Sequence, residues 1–247
     1  MKERGMIFNA EMVRALLSGR KTQTRRIMKV QPESNQLGLL LITDSTKHSD
    51  IGKYHWAESN ATGNHVRSKL FSCPFGAVGD RIWVRETWSS DFANYYPNDR
   101  VWYAADNNRR LDIEVVDGVR GIYSPESDVH VPFRWQPSIH MPRWASRILL
   151  EITDVRVERL NAISEQDAQS EGVHTEVWDQ TVVARNYAAI DEFFQFWSED
   201  MPHYVEMNQL YRSSFRSLWE SIYGAENWQA NPWVWVIEFK RVGGGAA

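Results

Sequence analysis

The stretch Gly19-Arg20-Lys21-Thr22-Gln23-Thr24-Arg25-Arg26 separates a helical pattern from a strand and places cations beside hydroxyl groups. Apolar residues within 12–17 recur at helical spacing. Asn9 can cap the start of this helix, and Gly19 can end it because glycine adopts the left-handed turn at a helix terminus. The cations that follow either line the mouth of a cleft or form the solvated basic face of a strand.

Length and composition limit the class of protein. The chain has 247 residues, of which 43% are hydrophobic and 24% charged, as in an ordinary globular protein of one large or two small domains. No apolar run approaches the roughly 20 residues that span a bilayer, and no secretory leader opens the chain. The single cysteine, Cys73, excludes an internal disulfide and a multi-cysteine zinc site. These features predict a cytoplasmic protein with no membrane partner.

The net charge of −4 conceals an uneven distribution along the chain. Residues 1–30 carry eight Lys or Arg and two Glu, a local balance of +6. Residues 174–208 carry seven Asp or Glu and one Arg, a local balance of −6. The pattern argues against a general nucleic-acid coat, but the basic part could hold one nucleotide or a short strand.

Periodicity predicts an α+β protein built from a small barrel with insertions. Strands are predicted at 81–88, at 147–160 (one strand or a bent pair) and at 233–240, and helices from Ser164 to Gly172 and over 209–222. Three segments between them, at about residues 31–70, 89–140 and 174–208, are rich in turn residues and are interpreted as loop insertions. We expect residues 1–242 to form a single domain and residues 243–247 a flexible tail.

Twelve tryptophans are far more than a chain of this length usually has. They either fill the core or stack on bases. Strand-like surroundings favour the core for Trp83, Trp233 and Trp235. Several aromatic residues in the turn-rich segments could line a pocket or simply pack the insertions, namely Trp56, Trp102, Trp135, Trp144, Trp178, Tyr54, Tyr95, Tyr96 and Tyr103.

Four segments together resemble an ASCH domain of the PUA-like superfamily. They are the stretch 19–26, Gly79-Asp-Arg-Ile-Trp83, the strand and helix over 147–171, and the closing Trp233-Val-Trp-Val-Ile-Glu-Phe239. The family pattern is Gly-x-Lys-x-x-Glu-x-Arg, in which Gly19, Lys21 and Arg26 match while Thr24 replaces the Glu. The resemblance covers roughly half of the chain and implies a PUA-like β-barrel with flanking helices and an association with RNA.

Because Thr24 replaces the Glu of the family pattern, the chain is similar to one branch of the family, the bacterial N4-acetylcytidine amidohydrolases. In that branch a Lys and the Thr three residues later act with a Glu on the helix after the central strands, and Glu171 falls on that position. The overall layout, including 135–147, also looks like larger ASCH-type proteins of tailed phages, which would place the protein in a host cytoplasm. The resemblance therefore implies Lys21, Thr24 and Glu171 as catalytic residues.

The same assignment can be argued from chemistry. A Thr hydroxyl needs a base to become a nucleophile, and Lys21 can be that base if burial and neighbouring cations lower its pKa. A Glu can relay the proton to the departing amine. A straight strand would point Lys21 and Thr24 to opposite faces, so the triad requires Lys21 to lie in the turn after the helix. Alternatively, Lys21 and Arg26 bind phosphate, Thr24 is a strand residue, and Glu171 lies on a solvated helix end.

We therefore expect a metal-independent amidohydrolase that acts on an acylated nucleoside or a related modified base. Arg20, Arg25 and Arg26 are the expected substrate- or phosphate-binding residues, and neither a metal nor a cofactor is predicted. The alternatives are a non-catalytic protein that binds RNA or a modified base in the same cleft, and a nuclease that uses the same cations. The expected partner is thus a modified nucleoside or a nucleic acid.

Overall fold

The protein is a mixed α+β structure with several sheets and few helices. A computed structural model describes residues 1–60, 63–66, 68–90, 101–106, 113–116, 119–124, 129–132, 134–189, 191–196 and 203–243. No helix within these ranges is both long and apolar enough to cross a bilayer.

The chain forms many short strands and a few helices. The helices are α1 (Ala10–Leu17), α2 (Glu165–Ser170), α3 (Leu210–Tyr223) and α4 (Ala225–Ala230). The strands are β1 (Glu3–Ile7), β2 (Gln23–Ile27), β3 (Gly38–Leu41), β4 (Tyr54–Asn60), β5 (Gly63–Val66), β6 (Arg81–Arg85), β7 (Trp88–Ser89), β8 (Trp102–Tyr103), β9 (Ile113–Val116), β10 (Val119–Ser124), β11 (Val129–Pro132), β12 (Leu149–Arg159), β13 (Thr175–Trp178), β14 (Thr181–Asn186), β15 (Glu192–Phe194) and β16 (Trp233–Val242).

A five-stranded sheet in the order β1-β6-β12-β16-β2 forms the centre of the fold. Strand β1 pairs with β6 in parallel, and the other pairs are antiparallel. The long β12 ladder with β16 shifts register between Ile152 and Asp154, which marks a bulge and bends the strand. Apolar side chains of the sheet pack with those of α1 in one hydrophobic cluster, which includes Val13, Ile82 and Ile237.

The sheet is open, and no ring of hydrogen-bonded strands closes within the described ranges. The closed barrel that the resemblance implies is therefore not found there. Its edge strands β1 and β2 are joined in the chain only by α1, and a side chain connects them: Arg26 Nη2 donates a hydrogen bond to the backbone oxygen of Ile7 at 2.7 Å. A side chain, and not a backbone ladder, thus links the two edges.

The predicted helices are confirmed together with their caps. Asn9 Oδ1 accepts a hydrogen bond from the Met12 amide at 2.8 Å, and Gly19 follows α1 with a φ of +76°. Ser164 Oγ accepts from the Asp167 amide at 3.1 Å at the start of α2. These local signals are reliable because a cap satisfies backbone groups within one turn of the chain.

The predicted strands are confirmed with altered bounds. The pattern over 81–88 spans two elements, because β6 ends at Arg85 and Trp88 belongs to β7, which pairs with β8. The segment 147–160 holds one strand with a bulge rather than a bent pair.

The three insertions are not irregular loops in the parts that the structure describes. Each holds a small antiparallel sheet: β3-β4-β5, β9-β10-β11 and β13-β14-β15. Their composition is dominated by residues of tight hairpins; Asp179 and Gln180, which join β13 to β14, have φ values of +46° and +68°. Turn residues therefore concealed short strands. Of the predicted tail, residues 244–247 lie outside the described residues.

The aromatic residues divide between core and surface. Trp83 and Trp235 are buried, and Trp233 packs against the core, as predicted. Trp56 is 1% exposed in the main core cluster, so it packs the first insertion onto the sheet and cannot stack on a ligand there. Two more described rings pack in the same way: Tyr54 contacts Trp235 edge-on, and Tyr103 Oη donates to the Ala145 carbonyl. Trp102 and Trp135 are half-buried, Trp144 and Trp178 are exposed, and Tyr95 and Tyr96 lie outside the described residues.

Candidate active site

Lys21 lies in the turn between α1 and β2, as the predicted triad requires. Its amide donates a hydrogen bond to Ala15 O at 3.1 Å, and the amide of Thr22 donates to Ser170 O at 2.9 Å. The turn is thereby fastened both to its own helix and to the last residue of α2. Because Lys21 precedes the strand, its side chain does not have to follow the alternation of side chains between the two faces of the sheet, which fixes the direction of Thr24.

The side chains of Lys21 and Glu171 form a buried ion pair. Lys21 Nζ donates to Glu171 Oε2 at 2.7 Å and to the Glu171 backbone oxygen at 2.8 Å. Both residues are 3% exposed. Glu171 therefore does not lie on a solvated helix end, and the pair is formed away from bulk water.

Gly172 allows this close approach. Its φ of +84° lies in the left-handed region, which ends α2 and turns the chain. A Cβ at this position would lie 2.7 Å from Lys21 Cβ and 2.9 Å from Ala15 Cβ. Glycine is thus required both by the backbone conformation and by the packing of the Lys21 turn.

Arg25 holds the other carboxylate oxygen of Glu171 in a wider charge network. Arg25 Nη1 lies 3.2 Å from Glu171 Oε1, while Nη2 lies 3.0 Å from Glu158 Oε2 and 3.3 Å from Asp167 Oδ2. Its side chain is 0% exposed. Burial acts to raise the pKa of Asp167, but the charges of Arg25 and Arg156 hold that pKa below its usual range. Glu171 is therefore fixed between two cations.

Burial lowers the pKa of the Lys21 ammonium below the usual lysine range. The charge of Glu171 and its hydrogen bond oppose this shift, and the charges of Arg26 and Arg25 add to it. At a given pH a larger fraction of Lys21 is therefore neutral than of an exposed lysine, and only the neutral amine can accept a proton as a general base.

Thr24 and Glu171 border one small enclosed space, which we call the inner cavity. Its volume is about 10 Å³, and aromatic and aliphatic residues of α3, including Phe215 and Trp219, complete its wall. Thr24 is 1% exposed. The nucleophile candidate and the carboxylate that binds Lys21 thus line the same small space, whereas Lys21 itself lines neither this space nor the larger one beside it.

A larger space adjoins it, which we call the outer cavity. It has a volume of about 440 Å³ and is lined by both edge strands of the open sheet, by α1 and by the end of α3. Four residues line both cavities and therefore separate them: Met12, Arg26, Ile222 and Tyr223. The outer cavity lies where the sheet is not closed, and a ligand there would reach Thr24 past these four side chains.

The three predicted binding cations lie in different environments. Arg20 lines neither cavity; its Nη1 donates to the carbonyls of Gly172 and Val173 at 3.3 and 3.1 Å. Arg25 borders the inner cavity but is bound by carboxylates. Arg26 alone of the three lines the outer cavity.

Sequence reasoning missed several residues of the site. Asp167 lies four residues before Glu171, and this spacing on one helix face was a usable signal. Arg85 lines the outer cavity from β6, where it was interpreted only as a strand residue. Tyr223 and Ile222 gave no local signal, because the end of α3 meets the site only through packing.

No protein-family model, curated protein sequence or solved structure matches this chain. The function is therefore argued from the geometry of the site and from the resemblance of its motif.

Proposed function

We propose that the protein is a metal-independent amidohydrolase that acts on an acylated nucleoside, such as N4-acetylcytidine, or on a related modified base. The observation that carries the proposal is the buried contact of Lys21 Nζ with Glu171 Oε2 at 2.7 Å, beside a cavity that Thr24 and Glu171 share. A lysine with a lowered pKa, a buried carboxylate and a threonine hydroxyl supply the base, the proton relay and the nucleophile of an acyl transfer.

In the proposed reaction, Thr24 Oγ1 attacks the acyl carbon and gives its proton to the neutral amine of Lys21. The C–N bond then breaks, and the proton passes to the departing amine by way of the Lys21–Glu171 pair. Water attacks the resulting acyl ester, its proton returns by the same groups, and the carboxylic acid leaves with Thr24 restored. The net reaction consumes one amide and one water and releases one amine and one acid.

We also propose that the fold is a PUA-like one of the ASCH type whose barrel is left open between β1 and β2. The 2.7 Å contact between Arg26 and Ile7 O supports this assignment, because it brings the two edges of the sheet to within one side chain. The opening would then serve as the entrance to the site.

A second candidate function is the binding of a modified base or RNA without catalysis. The volume of the inner cavity, about 10 Å³, favours it, because an acyl group cannot enter a space of that size without a side-chain movement. In this case the outer cavity alone would hold the ligand.

Release of acetate and cytidine from N4-acetylcytidine tests the first candidate. We expect Thr24→Ala and Lys21→Met each to reduce kcat by about a hundredfold or more, and the double variant to lose little beyond either single one. Glu171→Gln should be similarly impaired.

Thr22→Ala is the matched control, because Thr22 is exposed and only its backbone is fastened to α2 and β16. Full activity in Thr24→Ala, or equal loss in Thr22→Ala, would exclude Thr24 as the nucleophile. Tight ligand binding by the wild type without turnover would favour the second candidate.

A further inference from the structure

We propose that the outer cavity binds the phosphate group of a phosphorylated nucleoside, with Arg26 and Arg85 as the two phosphate-binding side chains. This inference rests on the proposed function and specifies its substrate class: a nucleotide, not a free nucleoside. Arg85 is thereby assigned a role in binding that its position on β6 did not suggest.

The two guanidinium groups are the charged side chains that line the outer cavity. Neither has a carboxylate partner among the described residues. Arg26 donates to Ile7 O at 2.7 Å and to Tyr223 Oη at 3.5 Å, and Arg85 Nη1 donates to Ile139 O at 3.4 Å. Arg25, in contrast, holds three carboxylates. The cavity therefore carries two uncompensated positive charges, which favours a doubly charged anion.

Arg85 is held over the cavity by its neighbours. Its guanidinium carbon lies 4.5 Å from the centroid of the Trp83 ring, and its Nε atom is buried with no hydrogen-bond partner. A Cβ at Gly5 would lie 2.7 Å from both Arg85 Nε and the Trp83 ring. The absence of a side chain at Gly5 thus makes the space that the arginine occupies at the wall of the outer cavity.

The rest of the outer cavity suits a base. Phe75, Met12 and Tyr223 supply apolar and aromatic surface beside the two cations. Aromatic rings can stack on the face of any base. A ligand with a planar ring and an anionic group matches this combination, and its ring would lie next to the passage to Thr24.

Calorimetric titration with cytidine and with cytidine 5′-monophosphate tests the inference with unacylated ligands. We expect the monophosphate to bind the wild type about tenfold more tightly or better, and raising the salt concentration should reduce this preference. Arg85→Met, which keeps an apolar stem, should lose most of the preference, and Arg85→Lys should keep part of it. Gly5→Ala should act like Arg85→Met, because it displaces the guanidinium.

Arg241→Met is the matched control, since Arg241 is an exposed cation on β16 that lines neither cavity. Equal affinity of the wild type for the two ligands would overturn the inference, as would an equal loss of preference in Arg241→Met. The wild-type comparison decides even if an Arg85 variant fails to fold. The dinucleotide CpC distinguishes the sources of phosphate: binding at least as tight as that of the monophosphate assigns the site to a strand, and weaker binding to a free nucleotide.

Failure of this inference is distinguishable from failure of the proposed function. Turnover of N4-acetylcytidine without a preference for the phosphorylated ligand would support the hydrolase function and contradict a nucleotide as the substrate. A phosphate preference that depends on Arg85, without turnover of any acylated ligand, would support the phosphate-binding site and contradict the hydrolase function.

Discussion

Lys21 Nζ and Glu171 Oε2 are 2.7 Å apart although 150 residues separate them in the chain. The contact depends on how two helices end: α1 ends at Leu17 and Gly19 follows it, while α2 ends at Ser170 and is followed by Glu171 and Gly172. The same carboxylate also pairs with Arg25, so one acidic side chain bridges two buried cations. Perturbing either helix end should therefore change the chemistry of the lysine.

The first prediction concerns the packing of Gly172 on the Lys21 turn. We expect Gly172→Ala to lower the free energy of unfolding by about 1–3 kcal/mol more than Gly79→Ala. Both glycines have a φ of +84°, but a Cβ at Gly79 meets nothing within 4 Å. The pair separates the steric contact from backbone strain, which alone costs about 1 kcal/mol or more. Urea unfolding measures the stability of both variants. Equal losses of stability would show that the structure accommodates the new Cβ beside Lys21 without a cost in free energy.

The second prediction concerns the charge network around Arg25. Arg25→Met should lower the free energy of unfolding by about 3–5 kcal/mol, because it removes one of the two cations that hold the buried carboxylate of Glu171 and a partner of the half-buried Glu158 and Asp167. Arg216→Met serves as control, since the Arg216 side chain is 52% exposed and its pair with Glu220 should contribute below about 1 kcal/mol. A comparably small loss of stability in Arg25→Met would mean that water or a rearranged side chain replaces the arginine as the partner of the carboxylates.

The third prediction concerns pH. The lowered pKa of Lys21 means that the neutral amine accumulates as the pH rises through that value, so kcat/KM should rise with pH below the usual lysine range. The unfolded chain, with an ordinary lysine, binds more protons between the lowered and the usual pKa, so stability should also rise with pH across that window.

NMR of the Lys21 side chain measures this pKa directly. Since Glu171 raises it and burial lowers it, Glu171→Gln should lower the Lys21 pKa further. An ordinary lysine pKa in the wild type, or an increase in Glu171→Gln, would contradict the electrostatic account of the base.

The fourth prediction concerns the passage between the two cavities. Ile222 lines both and is 41% exposed, so replacing it should change access more than stability. Ile222→Ala should raise kcat/KM for an acylated nucleoside several-fold, and Ile222→Trp should lower it. Ser221→Ala, at the exposed neighbouring position, should change neither kcat/KM nor stability. If both Ile222 variants match the wild type, substrate reaches Thr24 by another route.

Local signals predicted much of the secondary structure, whereas the three residues of the proposed triad followed from the resemblance of the motif to a known family. Asn9, Gly19 and Ser164 mark helix ends because capping is settled within a few residues. The insertions were misjudged because their strands are short and their hairpin residues dominate the composition, as at Asp179. The burial of Trp56 in the main core was likewise invisible, since it depends on how the first insertion packs.

By itself, the sequence determined that one helix begins after Asn9 and ends near Gly19 and that another begins after Ser164, because helix capping depends on contacts within one or two turns. Only the tertiary structure decided that Glu171 is buried against Lys21, that Arg25 is neutralised by carboxylates, and that Arg26 and Arg85 share a cavity at the open edge of the sheet. Identical cations in one short stretch acquire different roles because burial and partners, which come from distant parts of the chain, set the free energy of each charge.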